Sequence, residues 1–386
     1  MSPMEEAVLE NSRLPEGQRK SNRQLAREFE VDEASIRRAK KRLTKKGLMH
    51  DAFFDIPVEA ITKRGKTVRL PDGSYEKISY DPGRVAREQV KQLSLGDLEA
   101  IFSAPVSDWV LPERPTPGRT RVICLSDWQA GKTSNLGGSE ALINRALSCM
   151  RGLARDIATQ NGAEEILLMD VGDAIEGFHN TMSQAQTNDL SLTEQLRLVS
   201  RLYLEAIRLF APLCKRFVFV SVPSNHCAVR GAIGSKARVN APDDDYGLLI
   251  ADFLQEIIEG REGFEHVQFA KPQKWEESLT IQTLDGTMIG VTHGHLAGKQ
   301  SRMGDWFRGQ AFGCRSGLDK ASILVHGHFH NFGVTTLGNN RHIVSCPTLD
   351  NGSDWFSNLS GNSTIPGLLT FTVANGLSKN WEVRYE

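Results

Sequence analysis

The sequence predicts an α/β fold in which two packed mixed β-sheets are flanked by helices, with a small helical domain ahead of them. Three observations predict it. From residue 119 short apolar runs alternate with helical patterns; from residue 278 the chain becomes rich in strand patterns; and before both lies a two-helix pattern with a strongly basic second half. Alternating strand and helix calls for a largely parallel sheet covered by helices, and the later strands call for a second sheet packed against it.

The 386 residues are 40% hydrophobic and 24% charged, the composition of a globular chain that buries a sizeable core, which excludes disordered, collagen-like and coiled-coil classes. No apolar run approaches the roughly 18–20 residues of a membrane span. Met1 to Glu10 carries three Glu and no basic residue, the reverse of a secretory leader. Six Cys (124, 149, 214, 227, 314, 346) occur without a C-x-x-C pair, so the expectation is a cytoplasmic protein with reduced thiols rather than a disulfide framework or zinc ribbon.

Residues 1–118 hold 21 Lys and Arg against 19 Asp and Glu, and seven of the basic residues fall within Arg37–Lys46. In the preceding stretch Leu25, Ala26 and Phe29 give one short helix its apolar face; Val31 leads into a tight turn; Ala34, Ile36, Ala39 and Leu43 line a second helix that Asp32 or Glu33 caps. The run SNRQLAREFEVDEASIRRAKKRL resembles a helix-turn-helix, which implies DNA as a partner, with Arg37, Arg38, Lys41, Arg42 and Lys45 as candidate contacts, and suits a homodimer. The alternative is a helical hairpin with a solvated basic face used for assembly. Gly47 ends the second helix, residues 64–80 alternate like a hairpin around Pro71-Asp72-Gly73, and residues 83–103 return to a helical pattern. Pro112, Pro115 and Pro117 with Gly118 form a linker. The expected organisation is a basic helical segment at 1–50, a small α+β region at 51–111, the linker at 112–118 and a catalytic domain at 119–386.

Beyond the linker the expected strands are 121–126, 166–171 and 217–222, separated by helices at 139–160, from Ser191 (an N-cap with Glu194 completing a capping box) and at 246–259. Strands at 278–284, 287–292, 322–326, 342–346, 368–374 and 381–385 follow.

The chemistry-bearing residues stand just after these strands: Asp127, Asp173, Asn225-His226, His293, and His328 with His330. Ligand and catalytic groups of layered α/β proteins gather at the carboxyl ends of strands. Five of the ten His lie between 293 and 330, and imidazole and oxygen donors without thiolates suit Mn, Fe, Ni or Zn in a reactive site.

In order, Asp127-x-Gln129, Gly172-Asp173-x-x-Glu176, Asn225-His226, His293-Gly294 and Gly327-His328-x-His330 resemble the calcineurin-like metallophosphoesterase family over residues 119–350. The family's pattern reads D-x-H, G-D-x-x-D/E, G-N-H-D/E, H-G and G-H-x-H. The resemblance implies an αββα sandwich and two divalent metal ions, Mn2+ first, with Mg2+, Ni2+, Fe2+ and Zn2+ as alternatives. By it Asp127 and His330 hold one ion with Gln129 at the place of the family's His; Asp173 bridges; Asn225, His293 and His328 hold the other; and His226 stands beside the scissile phosphate as the catalytic group with Asp173. Two metals about 3.5–4 Å apart would neutralise an anionic diester and acidify a water.

Two departures stand out. Gln129 offers a neutral amide oxygen where the family has imidazole, which weakens the first ion or favours Mn or Mg. Ser224 and Cys227 replace the family's Gly and acidic residue, and that acidic residue orients the catalytic His. His295 competes with His293 for one ligand place or faces substrate, His326 faces the core, and Glu176, His179 and Arg230 are candidate substrate contacts or local structure. In DNGSDWF (350–356), Trp355 and Phe356 stack on a base or pack.

The function expected is a metal-dependent phosphodiesterase that cuts DNA, most similar to DNA-repair-type nucleases including forms from actinobacteria and their phages. The alternatives are a phosphoesterase acting on cyclic nucleotides or phosphomonoesters, and a DNA-binding protein whose phosphoesterase domain has lost activity.

Overall fold

A computed structural model describes residues 2–14, 18–45, 66–69, 75–78, 119–180, 184, 187–235, 238–352 and 365–385. The chain divides into two compact units, Met1–Gln89 and Val90–Glu386. The expected helix at 83–103, the proline-rich linker and the Trp355-Phe356 pair lie outside the described residues.

In the first unit, helices α1 (Pro3–Arg13), α2 (Asn22–Glu28) and α3 (Glu33–Lys45) pack around Val8, Leu9, Leu25, Ala26, Ile36, Ala39 and Leu43. The sequence reading missed α1, although Ser2 and Glu5 form a capping box with Pro3 at the first helical position, a start signal that was there to read. Asp32 caps α3 by accepting from the Ser35 N–H at 2.8 Å, and Glu30 takes a left-handed φ of 49° in the turn before it. Ala34, expected to face the core, is exposed. Strands β1 (Lys66–Arg69) and β2 (Tyr75–Ile78) pair antiparallel as the expected hairpin.

In the second unit the described strands form two mixed sheets. The six-stranded sheet contains β3 (Thr120–Leu125), β4 (Ala163–Asp170), β5 (Cys214–Ser221), β6 (Val267–Ala270), β12 (Leu368–Ala374) and β13 (Leu377–Arg384), in the order β13-β12-β3-β4-β5-β6. The four central and edge strands β3 to β6 run parallel, and β12 is antiparallel to both its neighbours. The five-stranded sheet contains β7 (Ser278–Gln282), β8 (Met288–Thr292), β9 (Ile323–His326), β10 (Gly333–Leu337) and β11 (Arg341–Ser345), in the order β10-β11-β9-β8-β7.

Strand periodicity builds the layers. Val122, Cys124, Leu167, Met169, Val218 and Val220 point at Ile289, Val291, Ile323 and Val325 of the second sheet. Their alternates Ile123, Leu125, Ile166, Leu168, Phe217 and Phe219 pack under α4 (Ser139–Thr159), α5 (Leu192–Phe210) and α6 (Tyr246–Ile258). Both faces are covered, which is why these strands read as continuous apolar runs. Helix α7 (Met303–Phe312) covers the far side of the second sheet through Met303 and Phe307 against Leu324 and Ile343. The result is an αββα sandwich. β6, α7 and β10 were not foreseen: each is short and half exposed, so its apolar pattern is weak.

Candidate metal centre and catalytic pocket

Because β3, β4 and β5 are parallel, with Leu125 level with Asp170 and Asp170 level with Ser221, their carboxyl ends reach the same edge together. The loops beyond them stay stitched. The Asp127 N–H donates to the Gly172 carbonyl at 3.0 Å, and the Gln129 N–H donates to the Asp173 carbonyl at 2.9 Å. Trp128, between them, is buried edge-to-face on Tyr203 and anchors the loop to the core. In the second sheet the Gly327 N–H donates to the His293 carbonyl at 3.0 Å, which sets the loops after β8 and β9 side by side.

Asp127, Gln129, Asp173, His328 and His330 all adopt left-handed backbone, with φ between 42° and 70°. Each such non-glycine residue costs roughly 1–2 kcal/mol, and strain of this kind concentrates where side chains must be aimed. Gly172, at φ 94°, is required twice over, since a Cβ there would lie 2.7 Å from both His293 Nδ1 and Ser224 Cβ. Gly327 is required by proximity alone: a Cβ would lie 2.6 Å from Asp127 Oδ2.

One group of donors converges tightly. Single ligand atoms of Asp173, His293 and His328 lie within 4.8 Å of one another. His293 Nε2 is 3.1 Å from Asp173 Oδ2 and 2.9 Å from Asn225 Oδ1. His293 Nδ1 faces the Val171 carbonyl at 2.9 Å, so Nδ1 carries a proton and Nε2 is the atom presented to the two oxygens. Backbone fixation of the remote ring nitrogen is the arrangement of a metal-ligating His. Burial would lower the pKa of His293, but Asp173 and Asp127 override it and hold it at about 9. Burial and the neighbouring His293 hold His328 down at about 4, so its imidazole is neutral with a lone pair to give. Two imidazoles, one carboxylate and an amide oxygen are a donor set that fits a divalent cation.

The other expected position is built differently. His330 Nε2 lies 3.2 Å from Asp127 Oδ1. Asp127 is buried, and its carboxylate is further engaged by the Ser126 hydroxyl and the His328 N–H. Gln129, expected as a ligand here, instead accepts through Oε1 from the Lys132 ammonium at 2.5 Å. Lys132 also donates to Asp350 Oδ2 at 2.5 Å, and burial's upward push on Asp350 is overcome by Lys132 and His330, which bring its pKa to about 2. Sequence reasoning missed both Lys132 and Asp350 as parts of this position. The available signal was an acidic residue two to five positions past an apolar strand, as at Asp127 and Asp173.

His226 sits at the rim, 14% exposed, with Nε2 3.9 Å from Asp173 Oδ2. Its N–H donates to Asp173 Oδ1 at 2.9 Å. Nδ1 faces the Glu176 carbonyl oxygen at 2.9 Å and Glu176 Oε2 at 3.2 Å. Two acceptors there require a proton on Nδ1. Burial would lower its pKa, yet Asp173 and Glu176 raise it to about 9. Glu176 thus orients the ring, the task expected of an acidic residue at position 227; Cys227 is buried with its thiol pushed well up by burial and Asp245. Asn180 and Gln184, not foreseen, place amide nitrogens 3.1 Å from His226 Nε2 and Nδ1 respectively.

The remaining candidates are placed as follows. His295 lies beside the cluster, its ring centroid 5.5 Å from His293 and 6.2 Å from His328, with Nε2 3.9 Å from Glu277. Arg230 spends both amino groups on backbone, donating to the Ser235 carbonyl and, at 2.8 Å, to the Asn225 carbonyl, so it braces the Asn225 loop. His179 is half-buried, and its carbonyl accepts from the Gly234 N–H. His326 is buried, as expected. In the first unit, Arg37, Arg38 and Arg42 point outward but pair with Glu33, Asp32 and Glu5. Lys41 and Lys45 belong to α3, and their side chains lie outside what is described.

No protein-family model matches this chain, and no curated protein matches it. Solved structures with a likeness include Vps29 complexed with zinc from Entamoeba histolytica, at 14% identity and TM-score 0.31, covering 68% of this chain and 98% of that one. Vacuolar protein sorting 29 from Cryptosporidium parvum has 14% identity and TM-score 0.30, covering 69% and 99%. A predicted phosphoesterase from Streptococcus pneumoniae has 11% identity and TM-score 0.26, covering 70% and 100%. Among the described residues no helix is long and apolar enough to cross a membrane.

Proposed function

We propose that this chain is a metal-dependent phosphodiesterase of the calcineurin-like kind that hydrolyses nucleic-acid phosphodiester bonds. The observation that carries the reading is the meeting of Asp173, Asn225, His293 and His328 at one point, with His226 held at its rim. A divalent cation there supplies charge neutralisation and a more acidic water. The protein's own groups do the rest. Asp173 fixes His226 through its backbone N–H, and Glu176 fixes the ring. His226, its Nδ1 proton held by the Glu176 carbonyl and its Nε2 turned toward Asp173, is placed to stabilise charge on the phosphate and to give a proton to the leaving oxygen. His295 and Glu277 border the same rim and fit the place of substrate contacts.

The basic helix α3 supports nucleic acid as the substrate. The pairing of Arg37, Arg38 and Arg42 with acidic neighbours favours a second reading, a small cyclic nucleotide or phosphomonoester, with the helices serving assembly. Turnover with Mn2+ on bis-p-nitrophenyl phosphate, single-stranded DNA, plasmid and 2′,3′- and 3′,5′-cyclic nucleotides separates them. DNA cleavage at rates above those on cyclic nucleotides is expected; no hydrolysis of any diester sinks the activity itself.

A further inference from the structure

Around Asp173, Asn225, His293 and His328 the groups that converge are acceptors and imidazole nitrogens. Around Asp127 and His330 a cation is already in place. The Lys132 ammonium is bonded to Gln129 Oε1 and to Asp350 Oδ2, each at 2.5 Å, and the Lys132 side chain is 12% exposed while Asp350 is fully buried. From Asp350 the chain of contacts runs on to His330 Nδ1 at 3.8 Å, and from His330 Nε2 to Asp127 Oδ1 at 3.2 Å.

We propose that the site takes one divalent cation, at Asp173–Asn225–His293–His328, and that the Lys132 ammonium supplies the positive charge at the neighbouring position in place of a second ion. The proposal rests on the phosphodiesterase reading for its purpose, although the number of ions does not depend on the substrate.

Three observations lead to it. Gln129 brings a neutral oxygen that an ammonium already occupies; a divalent ion ligated by that same oxygen would sit within a few ångströms of a like charge in a buried, weakly screened site. Charge balance is the second. Asp127, Asp173 and Asp350 bring three negative charges, which one divalent ion and one ammonium cancel. Third, among the described residues the Asp173–His293–His328 group is the one place where three or more His, Cys, Asp or Glu donors close to ion-binding distance. An ammonium has three N–H groups. Gln129 and Asp350 take two, which leaves one for a phosphoryl oxygen of the substrate, a grip as a point charge without Lewis-acid chemistry.

The test is a metal count on the full chain, stripped with chelator, reloaded with Mn2+ and freed of excess. Elemental analysis is expected to give one Mn per chain, with the six-line electron paramagnetic resonance spectrum of an isolated ion. Lys132→Met is expected to admit a second Mn and to give an exchange-coupled spectrum, whereas Lys132→Arg stays at one. Should Lys132→Met not fold because Asp350 is left buried and unpaired, Lys132→Met/Asp350→Asn removes both charges and carries the same expectation. Two coupled ions in the unmodified protein overturn the proposal and leave the phosphodiesterase reading standing. One ion in both the unmodified protein and the folded variant overturns the role of Lys132. No bound Mn overturns the proposal and the metal-dependent reading together.

Discussion

Glu176 Oε2 lies 3.2 Å from Nδ1 of His226, so the acidic partner of the rim imidazole comes from the loop after β4 rather than from the residue next in sequence. The two side chains form one unit, and their removal is expected to be non-additive. His226→Ala should lower kcat on bis-p-nitrophenyl phosphate by roughly 10²–10⁴. Glu176→Ala should cost less, and the double variant no more than His226→Ala alone. Losses that multiply in the double variant would show two independent roles.

Asp173 faces His293, His226 and the cation position at once. Asp173→Asn keeps the shape and removes the charge. It is expected to abolish turnover and bound Mn, while far-ultraviolet circular dichroism stays that of the unmodified protein. Retained Mn with full turnover would move the metal centre elsewhere.

Gly172 leaves no space for a side chain, with His293 Nδ1 and Ser224 Cβ each 2.7 Å from a built Cβ and a φ of 94°. Gly172→Ala should destabilise by about 2–4 kcal/mol in urea denaturation, combining backbone strain with overpacking. It should also weaken Mn binding, because His293 must move. Wild-type stability and affinity together would contradict the packing described.

Asp245 caps α6 through the Gly247 N–H at 2.9 Å and accepts from the Ser224 N–H at 3.0 Å, and burial raises its pKa to about 7. An acid whose folded pKa exceeds the unfolded value binds its proton more tightly in the folded state. Its contribution to stability is therefore full at low pH and is lost as pH rises from about 4 to about 7. Measured against Asp245→Asn, which does not titrate, the unmodified protein should lose on the order of 4 kcal/mol across that window. Parallel stability curves for the two proteins would show that Asp245 does not titrate there.

Arg37 and Arg38 are exposed guanidinium groups of α3, each paired with an acid of its own unit. Arg37→Ala/Arg38→Ala should weaken binding to DNA of any sequence and reduce the slope of log K against log salt by about one for each phosphate no longer neutralised. An unchanged slope assigns α3 to assembly, and sedimentation of the same variant would then show it.

The layers, and the strand-end positions of the candidate residues, were legible because strands buried on both faces leave a continuous apolar signature, and because each such residue follows a run of this kind: Asp127 after β3, Asp173 after β4, His293 after β8. The short, half-exposed β6 and β10 were not, since no fully buried position constrains their residues, nor was α7, which buries only Met303 and Phe307. Arg230 stood open between a substrate contact and local structure, because a sequence shows the charge of a guanidinium but not the two carbonyls that claim it.

By itself, then, the sequence determined which residues stand at the ends of strands, because backbone periodicity and burial write themselves into residue type. What occupies the space between those residues was decided only by the tertiary structure. Lys132 joins Gln129 to Asp350, which lies 218 positions further along the chain, and Glu176 reaches His226 across 50 positions. Hydrogen bonds and charges act over a few ångströms of space, so their partners are fixed by how the loops are brought together and carry no regular spacing along the chain.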